Sequence, residues 1–144
     1  APSLLPRANP VAGQGADRLC CEKIGTMTRV LIAATDAALC SALKLVLHQR
    51  FPVAVVGQRG DQPGLRLALA ELQPDLLLID WASAEFCHSE QLAAYGGMAP
   101  HMHIVALSVP SEEIADVLAG GAHACLARGA APHALFSLLH SYVA

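Results

Sequence analysis

The sequence predicts an α/β protein with a parallel sheet doubly wound by helices on both faces. Three observations lead there. Leu76-Leu77-Leu78-Ile79 is an unbroken aliphatic run that stops at Asp80. It is short and uniformly apolar, as a strand covered on both faces must be. Comparable runs recur at 29–33, 53–57, 104–107 and 124–127. Between them, apolar residues return at helical spacing. Strands alternating with helices give a parallel sheet with right-handed crossovers. For a chain of 144 residues, the five-stranded order 2-1-3-4-5 suits best.

Each element has a local reason. Arg29 to Ala33 is the first strand, and Asp36 caps the helix after it by accepting backbone N–H bonds. Leu39, Leu43, Val46 and Leu47 give that helix its apolar face, to about Gln49. Val53 to Gly57 is the second strand. Asp61-Gln62-Pro63 opens the second helix, with proline tolerated in its first turn and Leu65, Leu69 and Leu72 turned inward. Pro74 sharply starts the third strand, Leu76 to Ile79. Trp81 to Gly97 is the least patterned stretch: Ser89 to Tyr95 predicts a short helix with Leu92 buried, ended by Gly96-Gly97. Ile104 to Leu107 is the fourth strand. Pro110-Ser111-Glu112-Glu113 begins a helix with acids at its positive end, lined by Ile114, Val117 and Leu118 and stopped by Gly120-Gly121. Ala124 to Ala127 is the fifth strand. Pro132 starts the last helix, which carries Leu135, Phe136, Leu139 and Val143.

The bulk properties bound the rest. The length suits one domain, and 54% hydrophobic residues are ample for a core. Residues 1–27 hold Pro2, Pro6 and Pro10 and show neither periodicity. They are expected to be a flexible N-terminal extension, or sequence upstream of a start at Met27, with a docked arm as the alternative; the folded domain is 28–144. A net charge of −3 gives no reason to expect nucleic acid or acidic lipid as a partner of this domain. No apolar run is long enough to span a bilayer. Five cysteines show no metal-binding spacing; Cys40 and Cys125 read as small buried hydrophobes, and a reducing cytoplasm is the simplest location. His101, His103 and His123 could gather at one sheet edge, but surface histidines are common and no supporting shell is visible. No glycine-rich dinucleotide loop or phosphate loop follows a strand.

Asp80 is the first residue to question about function. In open α/β sheets, ligand chemistry gathers at the carboxyl ends of the strands. A carboxylate ending a central apolar strand is costly unless it faces a polar crevice. The alternative is a helix-capping or loop acid.

Residues 29 to about 143 resemble the response-regulator receiver domain, a flavodoxin-like fold of the same strand order. The resemblance rests on Arg29-Val30-Leu31-Ile32, Val55-Val56-Gly57, Leu72-Gln73-Pro74-Asp75 running into Leu76 to Asp80, and Ala119-Gly120-Gly121-Ala122. It implies that Asp80 stands at the phosphoryl-acceptor position. It further implies that Ser108 and Arg128 occupy the two positions that contact the phosphoryl group, with Arg128 in place of the usual lysine. At the two metal-binding acid positions this chain has Ala34 and Thr35, and at the aromatic switch position of strand five it has Cys125. The loop after the acceptor reads Trp81-Ala82-Ser83-Ala84 rather than through a Met-Pro-Gly type turn.

Magnesium needs oxygen ligands, usually with one or two carboxylates. Ala34 offers none and Thr35 at most a hydroxyl. Asp36, one step on, reads as a helix cap before a displaced ligand. Arg128 is expected to pair with Asp80 directly, filling the space of metal and phosphate, with a solvent-facing arginine as the alternative. Ser108 reads equally as a cap for the next helix. The expectation is therefore an atypical receiver module, not an enzyme, acting in signal transduction or transcriptional regulation through protein contacts. It has no cofactor and undergoes no magnesium-dependent phosphorylation. The expected partners are a second copy, through Ile114, Val117, Leu118, Leu135, Phe136 and Leu139, and a sensor kinase or output domain, with neither nucleic acid nor membrane bound directly. Two alternatives stand: an active phosphorelay receiver accepting phosphate at Asp80 and using magnesium, and a small-molecule-sensing pseudo-receiver.

Overall fold

The computed structural model describes residues 27–143. The extension expected at 1–27 otherwise lies outside the described residues. The strands are β1 Thr28–Ala33, β2 Val53–Arg59, β3 Leu76–Asp80, β4 His103–Val109 and β5 Ala124–Ala127. The helices are α1 Ala37–Arg50, α2 Gln62–Leu72, α3 Leu92–Met98, α4 Ile114–Gly120 and α5 Pro132–His140. Single 3-10 turns, Ser89–Gln91 and Ser111–Glu113, lead into α3 and α4. All paired strands are parallel, in the order β2-β1-β3-β4-β5, which is the predicted fold.

The strand at the centre explains its own sequence. Leu76, Leu77, Leu78 and Ile79 are all fully buried. Leu77 and Ile79 pack with α2, α3 and α4 through Leu65, Leu69, Leu92, Tyr95 and Val117. Leu76 and Leu78 pack on the other face with Cys40, Leu43, Leu47 and Leu139 of α1 and α5. Side chains alternate across a strand, so a run buried on both faces must be apolar throughout.

The capping signals act as read. Asp36 accepts the Ala38 and Leu39 N–H groups at 2.9 and 3.3 Å. Asp61 accepts the Gly64 N–H at 2.7 Å, with Pro63 in the first turn of α2. Gln73 ends α2 in a left-handed conformation, φ 45°, and its side chain donates to the Leu69 and Met98 carbonyls.

Several expectations are corrected. β2 runs two residues past Gly57, and β4 begins at His103 and continues to Val109. Gly96-Gly97 does not end α3. A glycine stops a helix when it takes a left-handed conformation. Here the turn continues to Met98, with Tyr95 and Ala99 buried on either side. Leu118 does not line the inner face of α4; it is 42% exposed, and Val117 alone is fully buried there. Val143 lies beyond the end of α5. Cys40 is buried as expected, but Cys125 is only half-buried. Gly120 permits a close approach, since a Cβ there would stand 2.6 Å from the Ser89 carbonyl oxygen.

Candidate functional site

Parallel pairing brings the carboxyl ends of the strands together. Asp80 stands in register with Leu107. The Trp81 N–H donates to the Leu107 carbonyl at 2.8 Å, and the Arg128 N–H to the Val109 carbonyl at 2.9 Å. These bonds continue the ladder past the ends of β3 and β5. They set Asp80, Ser108 and Arg128 at one edge of the sheet.

Asp80 is buried, at 5% exposure. Its Oδ1 accepts the Ala82 N–H at 3.0 Å. Burial pushes its carboxyl above the usual range; the Ala82 hydrogen bond and the Arg128 charge oppose this, and the Asp36 charge adds to it. The expected direct pair with Arg128 is not formed. Among the described residues no ion pair within 4.0 Å joins the two. Arg128 lies exposed in the turn after β5 and acts on Asp80 at longer range. An exposed guanidinium keeps its hydration, so a contact with a buried carboxylate would first have to strip that water.

The one carboxylate of the segment after β1 is Asp36, whose charge reaches Asp80 while its Oδ1 caps α1. Ala34 is 4% exposed and packs in the apolar cluster of Val30, Ile32, Cys40 and Leu43. The Thr35 hydroxyl donates to Ser83 Oγ at 3.2 Å. Asp36 Oδ1 is committed to the first turn of α1.

Ser108 departs from its expected roles. Among the described residues it is one of two non-glycine residues with positive φ, at 59°. The register between β4 and β5 shifts between Ala106 and Val109, so Ser108 sits in a bulge. It does not cap the next helix: the cap position there is Pro110, which makes no side-chain bond. Among the described residues the Ser108 hydroxyl makes no hydrogen bond, and the residue is half-buried at the crevice edge.

The loop after Asp80 supplies residues that sequence reasoning missed. Trp81 is 3% exposed, and its indole N–H donates to Glu113 Oε1 at 3.1 Å. This bond ties the loop after β3 to the start of α4. Trp81, Ala82, Ala84, Cys87, Pro110, Glu112, Glu113 and Arg128 line an open pocket of about 330 Å³ beside Asp80. The available signal was Trp81 itself, the one tryptophan of the chain, placed directly after the strand-ending acid.

Residues expected on an outward dimer face divide. Val117 and Leu139 are 1% and 0% exposed, so they belong to the core. Leu135 and Phe136 pack half-buried against the cluster under α1 and α5. Arg50 lies 4.5 Å over the Phe136 ring. Ile114 is half-buried and Leu118 faces outward. At the opposite sheet end, His103 and His123 lie against each other, with ring centroids 4.9 Å apart. Among the described residues no group of three potential metal ligands is present.

Solved structures share this architecture. The response-regulator receiver domain of RcsB from Salmonella enterica serovar Typhimurium aligns with TM-score 0.67 at 19% identity, over 82% of this chain and 92% of that one. The fold is that of a response-regulator receiver domain. A LuxR-family two-component response regulator from an Aurantimonas species aligns with TM-score 0.71 at 14% identity, over 80% of this chain and 84% of that one. A Burkholderia pseudomallei protein described as pilus assembly-related aligns with TM-score 0.69 at 19% identity, over 81% and 90%. No family model and no curated protein matches the sequence.

Receiver domains imply a magnesium ion beside the acceptor acid, and the donor set here does not fit one. Asp80 is a single carboxylate. Its neighbours are a buried alanine, a hydroxyl engaged with Ser83, and an acid engaged as a cap. A small dication that demands near-octahedral oxygen ligation finds a single buried carboxylate, already accepting the Ala82 N–H, beside a neutral hydroxyl engaged elsewhere. Among the described residues no helix is long and apolar enough to cross a membrane.

Proposed function

We propose that this chain is an atypical receiver module that works in signal transduction through protein contacts and undergoes no magnesium-dependent phosphorylation. The observation that carries this reading is the commitment of Thr35 and Asp36 to Ser83 and to the α1 amino terminus, next to a buried Ala34. Phosphoryl transfer to a carboxylate requires the incoming charge to be neutralised. Among the described residues the cation acting on Asp80 is an exposed arginine at longer range. The module is not an enzyme on this reading and resides in the cytoplasm. Its output is transcriptional regulation, exerted through a partner or output domain and not through direct contact with nucleic acid. RcsB, one of its structural neighbours, was solved on promoter DNA, and another neighbour is described as pilus assembly-related. The receiver scaffold thus accompanies more than one kind of output.

Association through α4 and β5 completes the reading. Leu118 projects from α4 between the exposed Ala115 and Ala119, a low-charge face at one side of the edge strand β5. A second copy is the proposed occupant, and a sensor kinase is a further partner. Sedimentation velocity at high micromolar concentration tests the dimer: Leu118→Arg is expected to convert it to monomer, and a wild-type chain that stays monomeric refutes it.

A second reading, an active phosphorelay receiver, is favoured by one observation, the shared edge of Asp80, Ser108 and Arg128. A magnesium titration followed by amide shifts separates the two. The atypical module shows no saturable shift at Asp80 or Ala82 up to about 10 mM, and the active receiver does. Thr35→Asp adds a carboxylate at an exposed position and is expected to introduce some affinity, which Ala34→Asp would do only by burying a charge.

A further inference from the structure

At the amino-terminal edge of the sheet, opposite Asp80, two histidines close the fold in an unusual way. His123 precedes β5, and its backbone N–H donates to the Ile104 carbonyl at 2.8 Å. Its ring returns the contact, because Nδ1 accepts the Ile104 N–H at 2.9 Å. A backbone donor at the start of β4 is thus satisfied by an imidazole. That fixes the ring as neutral, with its proton on Nε2. The His103 ring stands edge-on to it at 4.9 Å. The His103 ring also packs on Tyr142 at 5.1 Å, and the Tyr142 hydroxyl donates to the His123 carbonyl at 3.4 Å. Tyr142 lies just past α5. Three rings therefore hold the segment after α5 against the β4–β5 edge.

We propose that His123, with His103, is an acid-opened clasp that docks the segment carrying Tyr142 onto the sheet. A proton on Nδ1 would face the Ile104 N–H donor to donor and would bring positive charge against His103. Among the described residues no acid offsets this. The carbonyl of Asp75 accepts the His103 N–H, but its carboxylate accepts the Arg29 N–H. Tyr142 contributes a hydroxyl that donates. His123 is exposed overall, but desolvation of its ring, and then His103, hold it below the usual histidine range. The sign follows. The clasp is complete above the ordinary histidine value of about 6.5 and is lost as pH falls through the depressed value. The signal-transduction module would then have a proton-sensitive contact at the sheet end far from Asp80.

The test is an NMR titration of the whole chain from pH 8 to 4.5. It follows the imidazole nitrogens, the Ile104 amide and the Tyr142 ring. His123 should titrate below about 6.5, as the Nε2–H tautomer. The Tyr142 ring shifts should move with the same midpoint. The Ile104 protection factor should fall about fivefold, the loss of one hydrogen bond. His103→Gln should raise the His123 midpoint while the domain stays folded. The proposal is overturned if His123 titrates at or above its ordinary value, if Tyr142 and Ile104 do not follow it, or if His103→Gln leaves the midpoint unchanged.

Discussion

The Asp80 carboxylate is held by the Ala82 amide, 3.0 Å away, and not by the side chain of Arg128. A backbone loop, rather than a cation, closes over the acid at the end of the central strand. This reverses one sequence-based inference. If Asp80 and Arg128 were paired, neutralising Asp80 would weaken the fold. With the acid buried and its carboxyl pushed up by that burial, the charged form is the strained one.

Asp80→Asn is therefore expected to stabilise the chain at pH 7, by about 1 kcal/mol. A carboxyl raised on folding is protonated more readily in the folded than in the unfolded chain. The charge therefore costs nothing below the unfolded value of about 3.9 and its full amount above the folded value. The gain should disappear when urea denaturation is repeated near pH 3. A loss of stability at pH 7 would restore the ion-pair account.

Asp36→Ala should destabilise the domain by about 1 kcal/mol through loss of the α1 cap, and Asp36→Asn should be close to neutral. A displaced metal ligand would behave differently: both substitutions would alter magnesium binding and neither need alter stability without metal. Denaturation with and without magnesium distinguishes the roles.

Ser108→Gly should stabilise by roughly 1 kcal/mol, because φ 59° is costly for a residue with a Cβ. Ser108→Val should destabilise by at least as much, since branching at Cβ worsens the clash. Thermal unfolding of the two variants measures the difference.

Trp81 reports on its own loop, being the one tryptophan present. Glu113→Ala removes its indole partner and should shift the emission to the red and lower stability by about 1 kcal/mol. Emission unchanged by the substitution would mean that the loop is held by packing alone.

Much of this was legible in the sequence because it rests on local rules. The aliphatic run at Leu76 to Ile79 could bury itself only between two helical layers, and Asp36 and Asp61 announced their helices by capping chemistry. The placement of Asp80, Ser108 and Arg128 at one edge followed from parallel topology together with the receiver resemblance. What stayed hidden depends on tertiary contacts. Gly96-Gly97 carries no information about whether Tyr95 and Ala99 will anchor the turn around it. The left-handed Ser108 arises from a register shift between β4 and β5 that no side chain signals. The separation of Arg128 from Asp80 reflects exposure, which a match of positions does not reveal. The Trp81–Glu113 bond joins residues 32 positions apart across two loops without regular pattern.

The central claim, a receiver fold without metal-assisted phosphorylation, is tested most directly by intact-mass measurement after incubation with a small phosphodonor, with and without magnesium. The account predicts an unchanged mass under both conditions, for the native chain and for Asp80→Asn alike. A single phosphoryl mass increase on the native chain, strengthened by magnesium and absent from Asp80→Asn, would contradict it.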